Sequence, residues 1–243
     1  MTKSNSFIQV RDFKMSFGNK NVIKKLNFEI RKGEIFGLLG SNGSGKTTTI
    51  RALLGFYQPS GGELLINGKQ FDPGGDVLVG YLPEERGLYK KETVMDIMIY
   101  FGNLKDVKNP KEWSMKYLKR VGLEDKANLK VDKLSSGQQQ KVQLGLSVMG
   151  DPDLLILDEP TKGFDPVNRR LLMDIIDEQH KRGASILMIT HYMDEVERLC
   201  DHALLLKDGE ARAYGTINDI RKEFGGKSLD EIFVEIYKEK ADV

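Results

Sequence analysis

Residues 40–47 read Gly40-Ser41-Asn42-Gly43-Ser44-Gly45-Lys46-Thr47, which fits the phosphate-binding loop pattern of two glycines four residues apart followed by Lys and Ser/Thr. Small residues let the backbone curl into a nest of N–H groups aimed at one anion. Lys46 brings a full positive charge to the outer phosphates of a nucleotide, and the Thr47 hydroxyl suits Mg²⁺. The apolar run Ile35-Phe36-Gly37-Leu38-Leu39 before the loop reads as a buried strand, and Thr48 to Leu54 after it reads as a helix. That helix, entered through Thr48, adds the partial positive charge of its N-terminus.

Three further places could do chemistry with a bound triphosphate. Leu154-Leu155-Ile156-Leu157 runs into Asp158-Glu159, a parallel strand delivering two acids at its C-terminal end. One carboxylate there can hold Mg²⁺ and the other can activate water. His191 follows the apolar run Ala184–Thr190, so it stands at a strand end where an open α/β sheet binds ligands. Asp165 precedes Pro166 and Leu171, Leu172, Ile175 and Ile176, which marks it as a helix N-cap with Pro at the first helical position. Gly183 ends that helix.

The elements that position these residues follow in order. Phe7–Val10 and Leu26–Ile30 alternate as strands around a turn at Phe17–Lys20, forming an antiparallel sheet ahead of the loop. Phe17 reads as core from its position. Residues 62–71 predict a hairpin about Asn67-Gly68, and Val77–Leu82 predicts a central strand ending in the charged loop Pro83-Glu84-Glu85-Arg86-Gly87. There Glu84 is either a solvated carboxylate paired with Arg86 or a group facing the phosphate site. Residues 88–150 change character. Thr93 and Asp96 cap a helix with Ile97, Met98, Phe101 and Leu104 on one face, and Trp113, Tyr117, Leu118 and Val121 make a second stripe. Leu134-Ser135-Ser136-Gly137-Gln138 then opens a helix reaching Met149. Residues 203–206 and 210–214 predict an edge hairpin about Asp208-Gly209, and a tail helix from Ser228 carries Leu229, Ile232, Phe233 and Ile236 on one face.

Composition narrows the class. A net charge of +1 gives no reason to expect nucleic acid as a partner. The single cysteine, Cys200, excludes an intrachain disulfide and fits a reducing compartment. No apolar run approaches the ~20 residues needed to cross a bilayer, and residues 1–6 lack the apolar core of a signal peptide, so a cytoplasmic location is expected.

Taken together, the residues resemble the ATP-binding subunit of an ABC transporter, from about residue 7 to residue 225. Gly40–Thr47 is similar to the Walker A loop, Leu134–Gln138 to the family signature, Leu154–Glu159 to Walker B, Gly163-Phe164-Asp165 to the D-loop, and His191 to the switch histidine. The loop Tyr81–Tyr89 resembles a prokaryotic subgroup that includes sodium-extrusion and drug or peptide exporters. The chain departs from the usual pattern at Ser136, where the family has Gly, and at Glu84, where it offers Gln.

The resemblance implies one ABC ATPase domain over 1–243: an α/β P-loop NTPase core with a mostly parallel sheet, an N-terminal antiparallel β subdomain, a helical subdomain over about 88–150 and a helical tail over about 216–243. It implies ATP and Mg²⁺ as cofactors. Phe17, reassigned from the core, lies against adenine. The 40–48 segment binds phosphate, and Thr47 and Asp158 hold Mg²⁺ with Glu84 as a further metal ligand. Glu159 polarises water, His191 contacts the γ-phosphate, and Ser135, Ser136, Gly137, Gln138 and Asp165 complete the site across a dimer. The partners are an integral membrane permease and a second ATP-binding subunit, and the place is the inner face of the cell membrane. Export is the expected direction. A soluble ABC-type ATPase in DNA repair or translation is the alternative, although such chains usually carry a long coiled-coil insertion or tandem nucleotide domains.

Overall fold

A computed structural model describes residues 6–85 and 87–238. In chain order the elements are β1 (Ser6–Phe17), β2 (Lys20–Arg31), β3 (Ile35–Leu39), α1 (Lys46–Leu53), β4 (Gly61–Ile66), β5 (Val79–Leu82), α2 (Val94–Leu104), α3 (Pro110–Arg120), α4 (Ser136–Val148), β6 (Leu154–Asp158), α5 (Pro166–Lys181), β7 (Ser185–Thr190), α6 (Met193–Leu199), β8 (His202–Lys207), β9 (Glu210–Thr216), α7 (Ile217–Glu223) and α8 (Leu229–Lys238). They fall into two compact units, residues 1–77 with 185–243, and residues 78–184.

The first unit is built on a sheet ordered β4-β1-β2-β9-β8-β3-β7. β1 pairs antiparallel with both β2 and β4. Both long strands alternate buried and exposed residues over much of their length, as a sheet with one solvated face requires. β3 lies between β7 and β8, parallel to both. Every residue of β3 and β7 is buried, which explains why these strands read as unbroken apolar runs. The β8–β9 hairpin was expected at an edge. It is interior instead: β8 pairs with β3, and β9 meets β2 in parallel at Lys25 and Glu210. The apolar content of Ala203–Leu206, all buried, is the physical reason, since an edge strand would leave one flank of that run in water. The expected hairpin at 62–71 is also curtailed. Asn67-Gly68 makes the turn, but the return arm is one bridge from Ile66 to Lys69, and β4 spends its hydrogen bonds on β1.

The second unit pairs β5 with β6 in parallel, from Val79↔Leu154 to Leu82↔Leu157. β5 is the terminal strand of its sheet, not a central one. Its apolar character comes from α4 above it, so close that a Cβ on Gly80 would stand 2.0 Å from the Ser147 carbonyl. The helical stretch expected over 88–150 supplies α2, α3 and α4. Thr93 caps α2 by accepting from the Asp96 amide, and Ile97 and Met98 are buried, but Leu104 is exposed. Trp113 stacks on Tyr117 with ring centroids 5.4 Å apart, and Tyr117 fills the space that a side chain at Gly145 would need. Tyr117's phenol, pushed up by burial, donates to the Lys141 carbonyl at 2.7 Å.

Candidate active site

In the first unit the loop leaves β3 where the strand is most enclosed: Leu39 is paired with Thr190 of β7 and with Leu205 of β8. Two glycines are there for want of space. A Cβ on Gly40 would meet Ser44 Oγ at 2.4 Å and the Leu206 carbonyl at 2.5 Å, and one on Gly45 would meet the Ile23 side chain at 2.4 Å. Gly43 and Gly45 also adopt positive φ, 79° and 112°, which a side chain would oppose. The Ser44 amide turns back to the Ser41 carbonyl at 3.1 Å, and α1 starts with Gly45 as a cap that has no side chain. A helix start of that kind turns its positive end and backbone N–H groups toward the loop, where an anion is favoured. Lys46 is 8 % exposed, and its Nζ donates to the carbonyls of Gly40 at 2.7 Å and Ser41 at 3.1 Å. The ammonium therefore lies folded over the loop it would help to neutralise. Ser41, Asn42, Thr47 and Thr48 lie on the same turn and helix start.

His191 follows Thr190, which pairs across the β3–β7 ladder with Leu39, the residue before the loop. It is exposed, and its ring packs 4.2 Å from that of Tyr192. Phe17 ends β1 and is 45 % exposed, which overturns the core reading. Its ring meets the Tyr57 ring edge-on at 5.2 Å. Tyr57 in turn accepts from Arg51 of α1 at 3.1 Å, so the pair makes an apolar shelf tied to the loop's helix.

In the second unit β6 carries Asp158 and Glu159 to its end, 3 % and 7 % exposed. Glu159 takes φ of +51°, a conformation costing a residue with a Cβ about 1 kcal/mol. Such strain persists where neighbouring structure enforces it, and functional sites collect it. Here the carbonyl of Glu159 accepts from the Lys162 amide at 3.2 Å, and the Pro160 carbonyl accepts from Gln140 of α4 at 2.8 Å.

The start of α4 is a complete capping box. Ser135 Oγ accepts from the Gln138 amide at 3.3 Å, and Gln138 Oε1 accepts from the Ser135 amide at 2.9 Å. Ser136 and Gly137 stand between them, with Gly137 over the ring of Phe164. At the far end of α4, Lys105 donates to the carbonyls of Leu146 at 2.7 Å and Met149 at 3.2 Å, and burial pulls its ammonium down to about 8.

Asp165 caps α5 by accepting from the Asn168 amide at 2.9 Å. That hydrogen bond holds its carboxyl below the usual range. Glu84, two residues past β5, accepts from Lys162 Nζ at 2.6 Å. Arg86, the partner expected from sequence, lies outside the described residues. Glu84, Glu85, Lys90, Asp132, Gln143 and Lys162 line part of a cavity of about 850 Å³ within this unit. Lys162 and Tyr57 carried no sequence signal as site residues, because each is defined by a partner distant in sequence.

The donor sets fit the expected ligands. The first unit offers a backbone cradle that a Cβ would fill, with a buried ammonium and a hydroxyl. The second offers carboxylate oxygens, the hard ligands that Mg²⁺ takes. Among the described residues no helix is long and apolar enough to cross a membrane.

Comparison with known proteins agrees. Residues 23–162 match a family model described as ABC transporter. An uncharacterized ABC transporter ATP-binding protein of Methanocaldococcus jannaschii is 43 % identical over 97 % of this chain and 92 % of its own length. A Nod factor export ATP-binding protein I of a Rhizobium species is 35 % identical over 93 % of this chain and 76 % of its own. A solved structure described as the ATP binding subunit of an ABC transporter is 32 % identical, covers 95 % of this chain and 99 % of its own, and superimposes with a TM-score of 0.86.

Proposed function

The chain belongs to the ATP-binding subunits of the ABC transporter family, and from that premise we propose that it is a Mg²⁺-dependent ATPase driving export through a separate membrane permease. The observation that carries the reading is the loop at 40–47. Its glycines sit where a side chain is sterically excluded, and Lys46 is buried against it. Lys46 and the amides of 43–48 hold the phosphates, and Phe17 with Tyr57 offers a shelf for the base. Thr47 and Asp158 would hold Mg²⁺, with Glu84 as a candidate further ligand. When bound, the metal neutralises charge on the β- and γ-phosphates. Glu159 orients and polarises water, and His191 supports the γ-phosphate end.

Two copies, or this chain and a similar one, pair head to tail, so that Ser135–Gln138 and Asp165 of one complete the nucleotide site of the other. A triphosphate needs one backbone cradle for its tail. This chain has a second helix start rich in small residues, and pairing gives that start a role. The cavity lined by Glu84 and Gln143 is an opening that a cytoplasmic segment of the permease would fill, placing the subunit at the inner face of the membrane. Support for export comes from the Nod factor relative, which is named for export.

The test is nucleotide affinity and steady-state ATPase rate for the wild type, Lys46→Ala and Glu159→Gln. The reading predicts lost affinity for the first and retained affinity with lost turnover for the second. Parent-rate hydrolysis by Glu159→Gln would remove Glu159 from the chemistry.

A further inference from the structure

Helix α8 reaches the phosphate loop. The Ser41 amide donates to the Tyr237 hydroxyl at 2.8 Å, and that hydroxyl donates onward to the Leu206 carbonyl at 2.6 Å. One phenol thus bridges the loop's entry to the end of β8. The same carbonyl leaves no room for a Cβ on Gly40, and the Gly209 amide donates to the Ser44 carbonyl at 3.2 Å. The loop is therefore fastened to the β8–β9 corner on two sides.

α8 is held firmly enough to act as an anchor. Leu229, Ile232 and Ile236 are buried along one stripe. The Leu229 amide donates to Glu197 of α6 at 3.0 Å. At the other end Lys207, 5 % exposed, donates to the Ile236 carbonyl. The Lys207 ammonium also lies 5.6 Å over the Tyr237 ring, and Phe233 packs against that ring at 4.4 Å.

We propose that Tyr237 is a positioning residue for nucleotide binding: its hydroxyl fixes the phosphate loop, through the Ser41 amide, in the form that receives the anion. The inference rests on reading 40–47 as the nucleotide site. The bond takes an N–H ahead of the curl at Gly43–Gly45, so it competes with none of the amides of 43–48. Lys46 now holds the Gly40 and Ser41 carbonyls. When a phosphate draws Lys46 away, Tyr237 still tethers the Ser41 amide, and the loop need not be reordered at the cost of affinity. The phenol touches no reacting atom, so its loss should weaken binding of substrate and transition state alike.

The experiment uses the full chain and Tyr237→Phe, which keeps the ring. ATP affinity is measured without Mg²⁺, kcat and KM with it, and amide exchange at 40–45 by NMR. Losing one hydrogen bond should raise the ATP Kd and KM roughly three- to tenfold, leave kcat nearly unchanged, and speed exchange at Ser41. Unchanged affinity, or weaker affinity with unchanged Ser41 exchange, overturns the proposal while leaving the nucleotide site intact. A wild type that binds no ATP sinks the reading of the loop as well. The wild type alone gives a check independent of the variant's folding: the Ser41 amide must exchange more slowly than the Asn42 amide, and equal rates overturn the proposal.

Discussion

Two helices of this chain start where an anion could sit, and they start in opposite ways. α1 is entered through Gly45 at a φ of 112° with no side chain to cap it. α4 is entered through Ser135, whose hydroxyl and whose partner Gln138 satisfy each other's amides. Both lack an acidic residue in the first turn, so both keep a positive end. α1 has no capping side chain of its own, so a bound anion would add to its start. α4 is stable without one and has Ser136 and Gly137 between the two halves of its box. A helix start serving its own subunit's nucleotide can be left open, because the ligand closes it. One serving a neighbour's nucleotide must persist in the lone subunit, and a self-contained cap does that.

The largest effect should come from Glu159→Gln. Removing the carboxylate at the strained end of β6 should cut ATP turnover by about 10²-fold or more, while nucleotide still binds. ATP-loaded dimers should then accumulate, read by size-exclusion chromatography with light scattering. If the variant stays monomeric with Mg-ATP in the presence of every candidate partner chain, α4 has no nucleotide to serve and the comparison breaks.

Next comes Lys46→Ala. Losing a charge-assisted contact to phosphate should raise the Kd for ATP roughly 10- to 100-fold, measured by titration calorimetry on the monomer. The open start, on this view, carries binding alone before pairing. Unchanged affinity would shift that duty to α4.

What could be read from sequence divides along the same line. The loop at 40–47, the acids ending β6, the helix start at Leu134–Gln138 and the cap at Asp165 are local. Each is set by residues within a few positions, and the structure places all of them as their spacing implies. Non-local pairing was less legible. The β8–β9 hairpin was legible as a hairpin, but its interior place depends on β2 and β3. Val77–Leu82 looked central because an apolar run does not say whether its cover is strands or a helix such as α4. Phe17 looked buried by position, and its exposure depends on where Tyr57 lies. The Lys162 contact to Glu84 and the Tyr237 contact to Ser41 join residues 78 and 196 apart, with no pattern in either segment to announce them.

A smaller effect tests the closed start. Ser135→Ala removes one half of the capping box and should lower stability by about 1 kcal/mol, read as a shifted urea midpoint at constant slope. Because α1 lacks a side-chain cap, the closed start alone carries this cost. A shift within error would mean that α4 is held by its packing and by Lys105 at its other end, and that the box exists for the partner's nucleotide.

The smallest effect belongs to Glu84. It pairs with Lys162 at 2.6 Å, and both side chains are about half exposed, 42 % and 58 %. An exposed pair of this kind is worth about 0.2–1 kcal/mol, so it can open cheaply. Two roles compete. Glu84 is a Mg²⁺ ligand that trades Lys162 for the metal, or it is a tie between the loops after β5 and β6. As a ligand, Glu84→Gln keeps an oxygen but loses its charge. Apparent Mg²⁺ affinity should then fall about two- to fivefold, while metal-free nucleotide binding holds or improves slightly as a negative charge leaves the γ-phosphate's surroundings. Glu84→Ala should slow hydrolysis further. As a tie, Lys162→Met should reproduce Glu84→Gln in direction, since either change removes the same ion pair. ATPase rate against free Mg²⁺ for the four proteins separates the two. A shift in Glu84→Gln that Lys162→Met lacks assigns Glu84 to the metal. Matching shifts assign it to Lys162, and the nucleotide's metal then depends on Thr47 and Asp158 among the protein's side chains.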